Sequence, residues 1–214
     1  MRQPSQNAEP DPNKRSSRNV ESIERPGSHV DANPREEAER IQSAAQGNLG
    51  AFAELVQAHR MRVLRTAAGM LGSLDEAEDV AQDVFIKAWE HLPDYDPRGS
   101  FAGWLYRITV NTALDVLRKR RADVSLDELQ LVSPKEDPEG IALRQDERQR
   151  VQAAIAGLPA AARAALILRE YEQLSYKEIA DVLDIPIGTV MSRLSYARRA
   201  LGQSLALEQQ EVEV

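Results

Sequence analysis

Five side chains near the carboxy-terminal end, Thr189, Ser192, Arg193, Tyr196 and Arg199, recur at steps of three, one, three and three residues. On a helix that spacing gathers two hydroxyls, two guanidinium groups and a phenol along one side. Such groups suit base edges in a major groove and phosphate oxygens. The other side carries Ile187, Val190, Leu194, Ala197 and Leu201, an apolar stripe at helical period. No acidic residue stands between Ile187 and Leu201, so the field of this helix is uniformly positive.

A reading helix needs a second helix behind it. Ser175 and Glu178 form an S-x-x-E capping box, in which each side chain satisfies a free amide at a helix start. The short helix it opens turns Ile179, Val182 and Leu183 inward, with Ala180 small enough to allow close approach. Asp184 and Ile185 make the turn, and Pro186 suits the first turn of the next helix, where its missing N–H costs nothing. Capping box, short turn and basic second helix together predict a DNA-reading helix-turn-helix, rather than an ordinary amphipathic pair with a solvated basic face.

A second polar group lies upstream. Arg107, Asn111, Asp115 and Arg118 recur at steps of four, four and three, and Lys119 to Arg121 extend a basic end. The plain reading is a solvated stripe with Asp115 paired to Arg118 or Lys119, worth about 0.3 kcal/mol. The other reading is a second nucleic-acid face, because Tyr95 sits on the preceding loop and Phe101 and Trp104 open the same helix. Aromatic rings beside basic groups suit unstacked single-stranded bases, each worth about 1–3 kcal/mol when stacked. Phe101 and Trp104 are expected in the core first. Tyr95, between charged residues on a loop, is the better stacking candidate.

These groups must be held by helices, and the periodicity supplies them. A polar helix is expected near 36–46, then a helix with Phe52, Leu55, Val56, His59, Val63, Ala67, Met70 and Leu71 at helical spacing, ended by Gly72-Ser73. The next begins near Leu74 with Asp75, Glu76, Glu78 and Asp79 in its first turn, where carboxylates favour the helix dipole. It buries Ala77, Val80, Ala81, Val84, Phe85, Ala88, Trp89 and Leu92 and leaves an acidic opposite face. PDYDPRGS is a loop, and a third core helix covers 101–121. The expected organisation is all-α: a disordered extension over 1–35, a helical unit over 36–121, a flexible linker over 122–138, a second unit over 139–202 broken at Gly157-Leu-Pro159, and a fraying acidic tail over 203–214.

Composition narrows the function. The 214 residues suffice for two small domains, and 42% apolar with only 5% aromatic residues favours small helical units. Cysteine is absent, which excludes disulfides, thiol catalysis and cysteine-ligated metal, and His29, His59 and His91 give no metal spacing. With no phosphate-cradling glycine loop and no nucleophile pair, no catalytic residue, metal or cofactor is expected. No apolar run could span a membrane and the start MRQPSQNAEP lacks a secretory core, so a cytoplasmic protein is expected. The net charge of −7 opposes encounter with DNA, so either the charges are segregated or another protein brings the chain to DNA.

Three runs in order, DEAEDVAQDVFIKAWEHL, GSFAGWLYRITVNTALDVLRKRR and EIADVLDIPIGTVMSRLSYARRAL, resemble the extracytoplasmic-function sigma factors, the two-domain branch of the bacterial sigma family. The resemblance covers about 45–121 and 140–202. It implies a sigma domain 2 helical bundle and a sigma domain 4 helix-turn-helix, and a protein that binds core RNA polymerase, directs it to promoters and helps melt the minus-10 element. By that resemblance Asp79, Gln82, Asp83 and Glu90 face the clamp coiled coil of the largest polymerase subunit, and the flap of the second-largest is a further contact. Tyr95 stacks or flips a minus-10 base, Asn111 reads it, and Arg107, Arg118 and Lys119 lie along the same DNA. Thr189, Ser192, Arg193, Tyr196 and Arg199 read the minus-35 element. Promoter DNA and an anti-sigma protein are the other implied partners. Two positions depart from the family pattern: Asp184 stands where glycine is usual in the turn, and Met191 where many members carry lysine. A free-standing helix-turn-helix regulator would explain 175–201 but leave the acidic helix and the aromatic loop idle.

Overall fold

The structure, a computed structural model, describes residues 34–124 and 142–212. Among them the elements are α1 (Pro34–Ala45), α2 (Leu49–Leu71), α3 (Leu74–His91), a 3-10 turn (Leu92–Asp94), α4 (Phe101–Val124), α5 (Ala142–Ala156), α6 (Ala160–Glu170), α7 (Tyr176–Leu183) and α8 (Ile187–Val212), with no strand.

Local chemistry sets most boundaries. Asn48 caps α2 through the Ala51 amide, and Gly72 closes it in the left-handed region at φ 72°, a conformation glycine adopts without strain. Ser73 then caps α3 at once, so α2 and α3 form a tight antiparallel pair. Along α3, Ala77, Val80, Ala81, Val84 and Ala88 are buried, and the small side chains let α2 and α4 come close. Phe85 and Trp89, expected fully inside, are half-buried at the rim, where Trp89 meets Phe52 with ring centroids 4.9 Å apart. Leu92 reaches the core from the 3-10 turn.

Several boundaries moved. Pro34 and Arg35 are not part of an unstructured extension but begin α1, where proline fits a first helical turn; the rest of the expected extension lies outside the described residues. Likewise α4 continues to Val124, so only 125–138 of the expected linker lies outside the described residues. The tail does not fray at Gly202. It continues α8 to Val212, since SLALEQQEV is made of helix formers without a breaker, and Ala200 and Leu201 pack against the cluster of Ile155, Leu158 and Ile167.

The sequence left open how the two helical units meet, and in the structure they pack against each other. One continuous apolar core runs from Leu55, Met70, Val84 and Leu105 through Ala164 and Leu168 to Ile179, Val190 and Leu194. Arg163 of α6, 7% exposed, donates to the Met70 carbonyl at 2.6 Å and to those of Leu158 (3.0 Å) and Ala156, placing its cation against the carbonyl ends of α2 and α5.

Candidate polymerase and nucleic-acid interfaces

Three outward faces carry the residues singled out in the sequence. The first belongs to α3. Burial of its alanine and valine stripe turns Asp79, Gln82, Asp83 and Glu90 to solvent, all exposed. Ile86, 57% exposed, stands in the middle of them, three residues after Asp83 and four before Glu90. Ile86 belongs neither to the apolar stripe nor to the acidic positions expected from the sequence; its offset by two from the Val84 position, which is fully buried, was the available signal.

The second face is formed by α4 and the loop before it. Arg107, Asn111, Arg118 and Lys119 are exposed on α4, and Arg118 donates to Asp115 at 2.7 Å, the pairing expected of a solvated stripe. Tyr95 differs from expectation. It is half-buried, its ring edge-on to Phe101 at 5.6 Å and tilted against Trp104 at 5.2 Å, and its hydroxyl donates to the Gly99 carbonyl at 2.8 Å. Removal from water raises its phenol pKa. The neighbouring apolar rings win over solvent because a loop only a few residues long keeps Tyr95 next to the start of α4. Phe101 is buried, as expected, and meets His59 at 5.2 Å, while Trp104 is half-buried. The loop is pinned by Arg98, whose guanidinium and amide both bind Asp96 and hold that carboxyl below its usual range. His59 in turn faces Glu37 of α1 at 3.0 Å, and burial lowers its pKa although Glu37 opposes the shift.

The third face lies on α8. Ser175 and Glu178 form the reciprocal capping box, with the Ser175 amide donating to Glu178 at 2.8 Å, and these bonds hold the Glu178 carboxyl below its ordinary range. Asp184 adopts the left-handed turn at φ 52°, the conformation a glycine would take there at less cost. Val190, Leu194 and Ala197 are buried and fix the rotation of α8. That rotation exposes Ser192, Tyr196 and Arg199, and leaves Thr189 and Arg193 half-buried. Ile187, expected in the buried stripe, is 50% exposed because it sits at the first turn, before the helix reaches α6. Met191 is exposed on the same outer side.

A narrow cleft of about 490 Å³ separates the second face from the helix-turn-helix, with Tyr95, Trp104 and Arg107 on one wall and Leu174, Lys177 and Asp181 on the other. Among the described residues no group of histidines and carboxylates could hold a metal ion, and no helix is long and apolar enough to cross a membrane.

The profile of sigma-70 region 2 matches residues 55–122, which hold the first two faces, and that of sigma-70 region 4 matches 148–201, which hold the third. The ECF RNA polymerase sigma factor SigW of Bacillus subtilis is 33% identical over 177 residues, covering 78% of this chain and 95% of its own length. This chain belongs to the extracytoplasmic-function sigma factors. The ECF RNA polymerase sigma-E factor of Escherichia coli is 37% identical over 76% of this chain and 89% of its own. Two solved structures share the fold. CnrH in complex with the cytosolic domain of CnrY superposes with a TM-score of 0.62 at 28% identity, covering 80% of this chain and 98% of CnrH. The sigma factor RpoE of Bartonella quintana, in complex with the anti-sigma factor NepR, gives 0.61 at 27% identity over 72% and 96%. The chain is thus an alternative sigma factor that directs RNA polymerase to promoters. The relatives are sigma factors, which are not enzymes.

Proposed function

We propose that this sigma factor divides its work among the three faces. The exposed carboxylates of α3, with Ile86 among them, dock on the clamp coiled coil of core polymerase. Tyr95 and Asn111, flanked by Arg107, Arg118 and Lys119, engage the melted minus-10 element. The outer side of α8, through Thr189, Ser192, Arg193, Tyr196 and Arg199, reads the minus-35 duplex. What carries this reading is the contrast in local charge: α3 sets six carboxylates against one lysine, and α8 has no acidic residue from Ile187 to Leu201. The acidic face suits a protein partner that brings the chain to DNA, after which the basic faces act locally where repulsion no longer matters.

Chemistry supports each assignment. An exposed apolar side chain among charges suits the water-excluded centre of a docking surface. An aromatic ring replaces the stacking a base loses when strands part, and an amide hydrogen-bonds an exposed base edge. The remaining contact, to the flap of the second-largest subunit, falls to the second unit. The protein works in the cytoplasm, without catalysis of its own, and is held in reserve by an anti-sigma protein. Site-specific photocrosslinkers at Gln82, Asn111 and Ser192 of the polymerase-bound protein test the division. The expected products are, in turn, the largest polymerase subunit, minus-10 DNA and minus-35 DNA. Crosslinking of Asn111 to protein alone would remove α4 from the DNA-binding surface.

A further inference from the structure

The loop that carries Tyr95 rests on more than its own helix. Behind it lies α1, which begins at Pro34 and stands outside residues 55–122, the span matched by the region 2 profile. Ile41 and Ala44 seat α1 on the core, and the helix packs against the 3-10 turn Leu92–Asp94, immediately before Tyr95. From that seat Glu37 reaches inward. Its carboxylate meets His59 Nε2 at 3.0 Å, and the buried imidazole lies edge-on to Phe101, with ring centroids 5.2 Å apart and planes at 70°. Phe101 in turn meets Tyr95 at 5.6 Å and 90°. A chain of four side chains therefore runs from α1, through α2 and the start of α4, to the loop.

The chemistry of the first link fixes its direction. A carboxylate only accepts, so Nε2 bears the proton, and burial, which lowers the imidazole pKa, keeps the ring neutral. Nδ1 is then a bare acceptor, buried and without a hydrogen-bond partner among the described residues. The bond to Glu37 thus holds the ring plane, because the outer torsion of an imidazole is broad and two-fold. An edge-to-face pair gains more than its buried area only while that plane is kept. The charge reaches further along the chain: after removal from water, the Glu37 carboxylate is the next cause raising the Tyr95 phenol pKa. Elsewhere α1 is tied near its surface, where Arg40 meets Glu36 and Glu54.

We infer that Glu37 and His59 are positioning residues for strand opening: from α1 they hold the Phe101 ledge on which Tyr95 rests, and they touch no DNA themselves. The inference rests on the assignment of Tyr95 to the melted minus-10 element. A group that must meet a base leaving the stack has to stand within about 0.5 Å of its working place, and a second layer of locked side chains provides that. Loss of the Glu37 bond frees the imidazole and then the edge of Phe101. Tyr95 loses its support while every group proposed to face DNA is still present.

Opening by holoenzyme reconstituted with the full-length protein tests this. Time courses of permanganate reactivity at saturating enzyme give the opening rate, and promoter affinity at low temperature gives closed-complex formation. Glu37→Ala should open several-fold more slowly with closed-complex affinity unchanged. Glu37→Gln, whose side-chain carbonyl still accepts from Nε2–H, should keep the wild-type rate. Arg40→Ala, which loosens α1 only near its surface, should also open as wild type does. Combined with Tyr95→Ala, Glu37→Ala should add no further loss, because both act through one side chain, whereas a mere loss of stability would add in full. In the free protein, hydrogen exchange should quicken over 92–100 in Glu37→Ala and stay unchanged over α6 to α8, which also shows that the variant is folded. His59→Gln, which offers no ring edge to Phe101, should match Glu37→Ala and takes its place should that variant not fold. Wild-type opening by the folded variant, equal slowing by Glu37→Gln or Arg40→Ala, or full additivity with Tyr95→Ala overturns the inference. Slow opening by Tyr95→Ala beside normal opening by Glu37→Ala strikes the inference alone, whereas normal opening by Tyr95→Ala strikes the minus-10 assignment and the inference with it.

Discussion

The two faces proposed to meet nucleic acid in this sigma factor are built differently. On α8 the groups stand on an unbroken helix whose rotation is fixed by Val190, Leu194 and Ala197 beneath them, and Ser192, Tyr196 and Arg199 are open to solvent. On α4 and its loop the aromatic groups are folded against one another, Tyr95 on Phe101 and Trp104, and a second helix lies across the edge. The difference suits the two tasks proposed for them. A duplex presents its base edges ready-made, so a rigid, exposed helix suffices. A base leaving the stack offers a ring face only after opening, and aromatic side chains exposed before that moment would be apolar surface in water. On the proposed reading, the packing of Tyr95 on Phe101 and Trp104 keeps its ring out of water until a base is there to stack on it.

The largest expected effect silences both faces together. Reversing Asp79 and Asp83 to lysine sets like charge against the polymerase clamp and should cost several kcal/mol of docking, of the order of ~3 kcal/mol. Circular dichroism should stay helical while co-elution with core polymerase at moderate salt is lost. Retained co-elution would take α3 out of the docking surface.

The next effect divides the faces. Tyr95→Ala should weaken strand opening by about 1–3 kcal/mol, the worth of one stacked base, and leave closed-complex formation nearly intact. Permanganate reactivity of thymines around the start site measures this, and a template already melted by a mismatch bubble should recover much of the loss. Asn111→Ala should recover less on that template, because its base contact is still missing. Normal opening in both variants on intact duplex would collapse the comparison between the faces.

On the other face, Arg193→Ala should weaken recognition of particular upstream bases by about 1–3 kcal/mol if the guanidinium makes a bidentate base contact. Arg193 is half-buried and Arg199 exposed, so Arg199→Ala should weaken all upstream sequences alike, as loss of a phosphate contact does. A screen of upstream variants separates the two patterns. Unchanged base preferences after Arg193→Ala would leave the reading to Ser192 and Tyr196.

The smallest effect concerns the support behind Tyr95. His59 faces Glu37 and Phe101, with Arg62 close enough to oppose its protonation, and burial lowers its pKa from 6.5. Between the folded and unfolded values the unfolded chain binds more protons, so stability is full above about pH 6.5 and falls as pH drops through the folded value. Thermal melting of wild type should decline over that window, and His59→Gln should flatten the decline. Parallel curves for the two proteins would show that the imidazole does not titrate against the fold.

Much of this was legible because it is local. The capping box at Ser175, the left-handed turn at Asp184, the apolar stripes of α2, α3 and α8 and the acidic outer side of α3 follow from spacing and helix periodicity alone. Local signals also set limits: Phe85 and Trp89 looked fully inside, Ile187 looked buried and the tail looked frayed, because periodicity states which residues share a side and not what that side meets.

The sequence by itself determined the helices, their caps, the two units and the residue types on each face, since these depend on neighbours within one turn of chain. Only the tertiary structure decided that Tyr95 turns inward, that Gly69 admits Ile167 and Tyr171, and that Glu172 finds Arg65 and Tyr106 across 107 and 66 positions of sequence. Contacts at such separation leave no period to read. They arise because the two units share an apolar core, and a carboxylate carried into that junction costs free energy unless it meets a hydrogen-bond donor there.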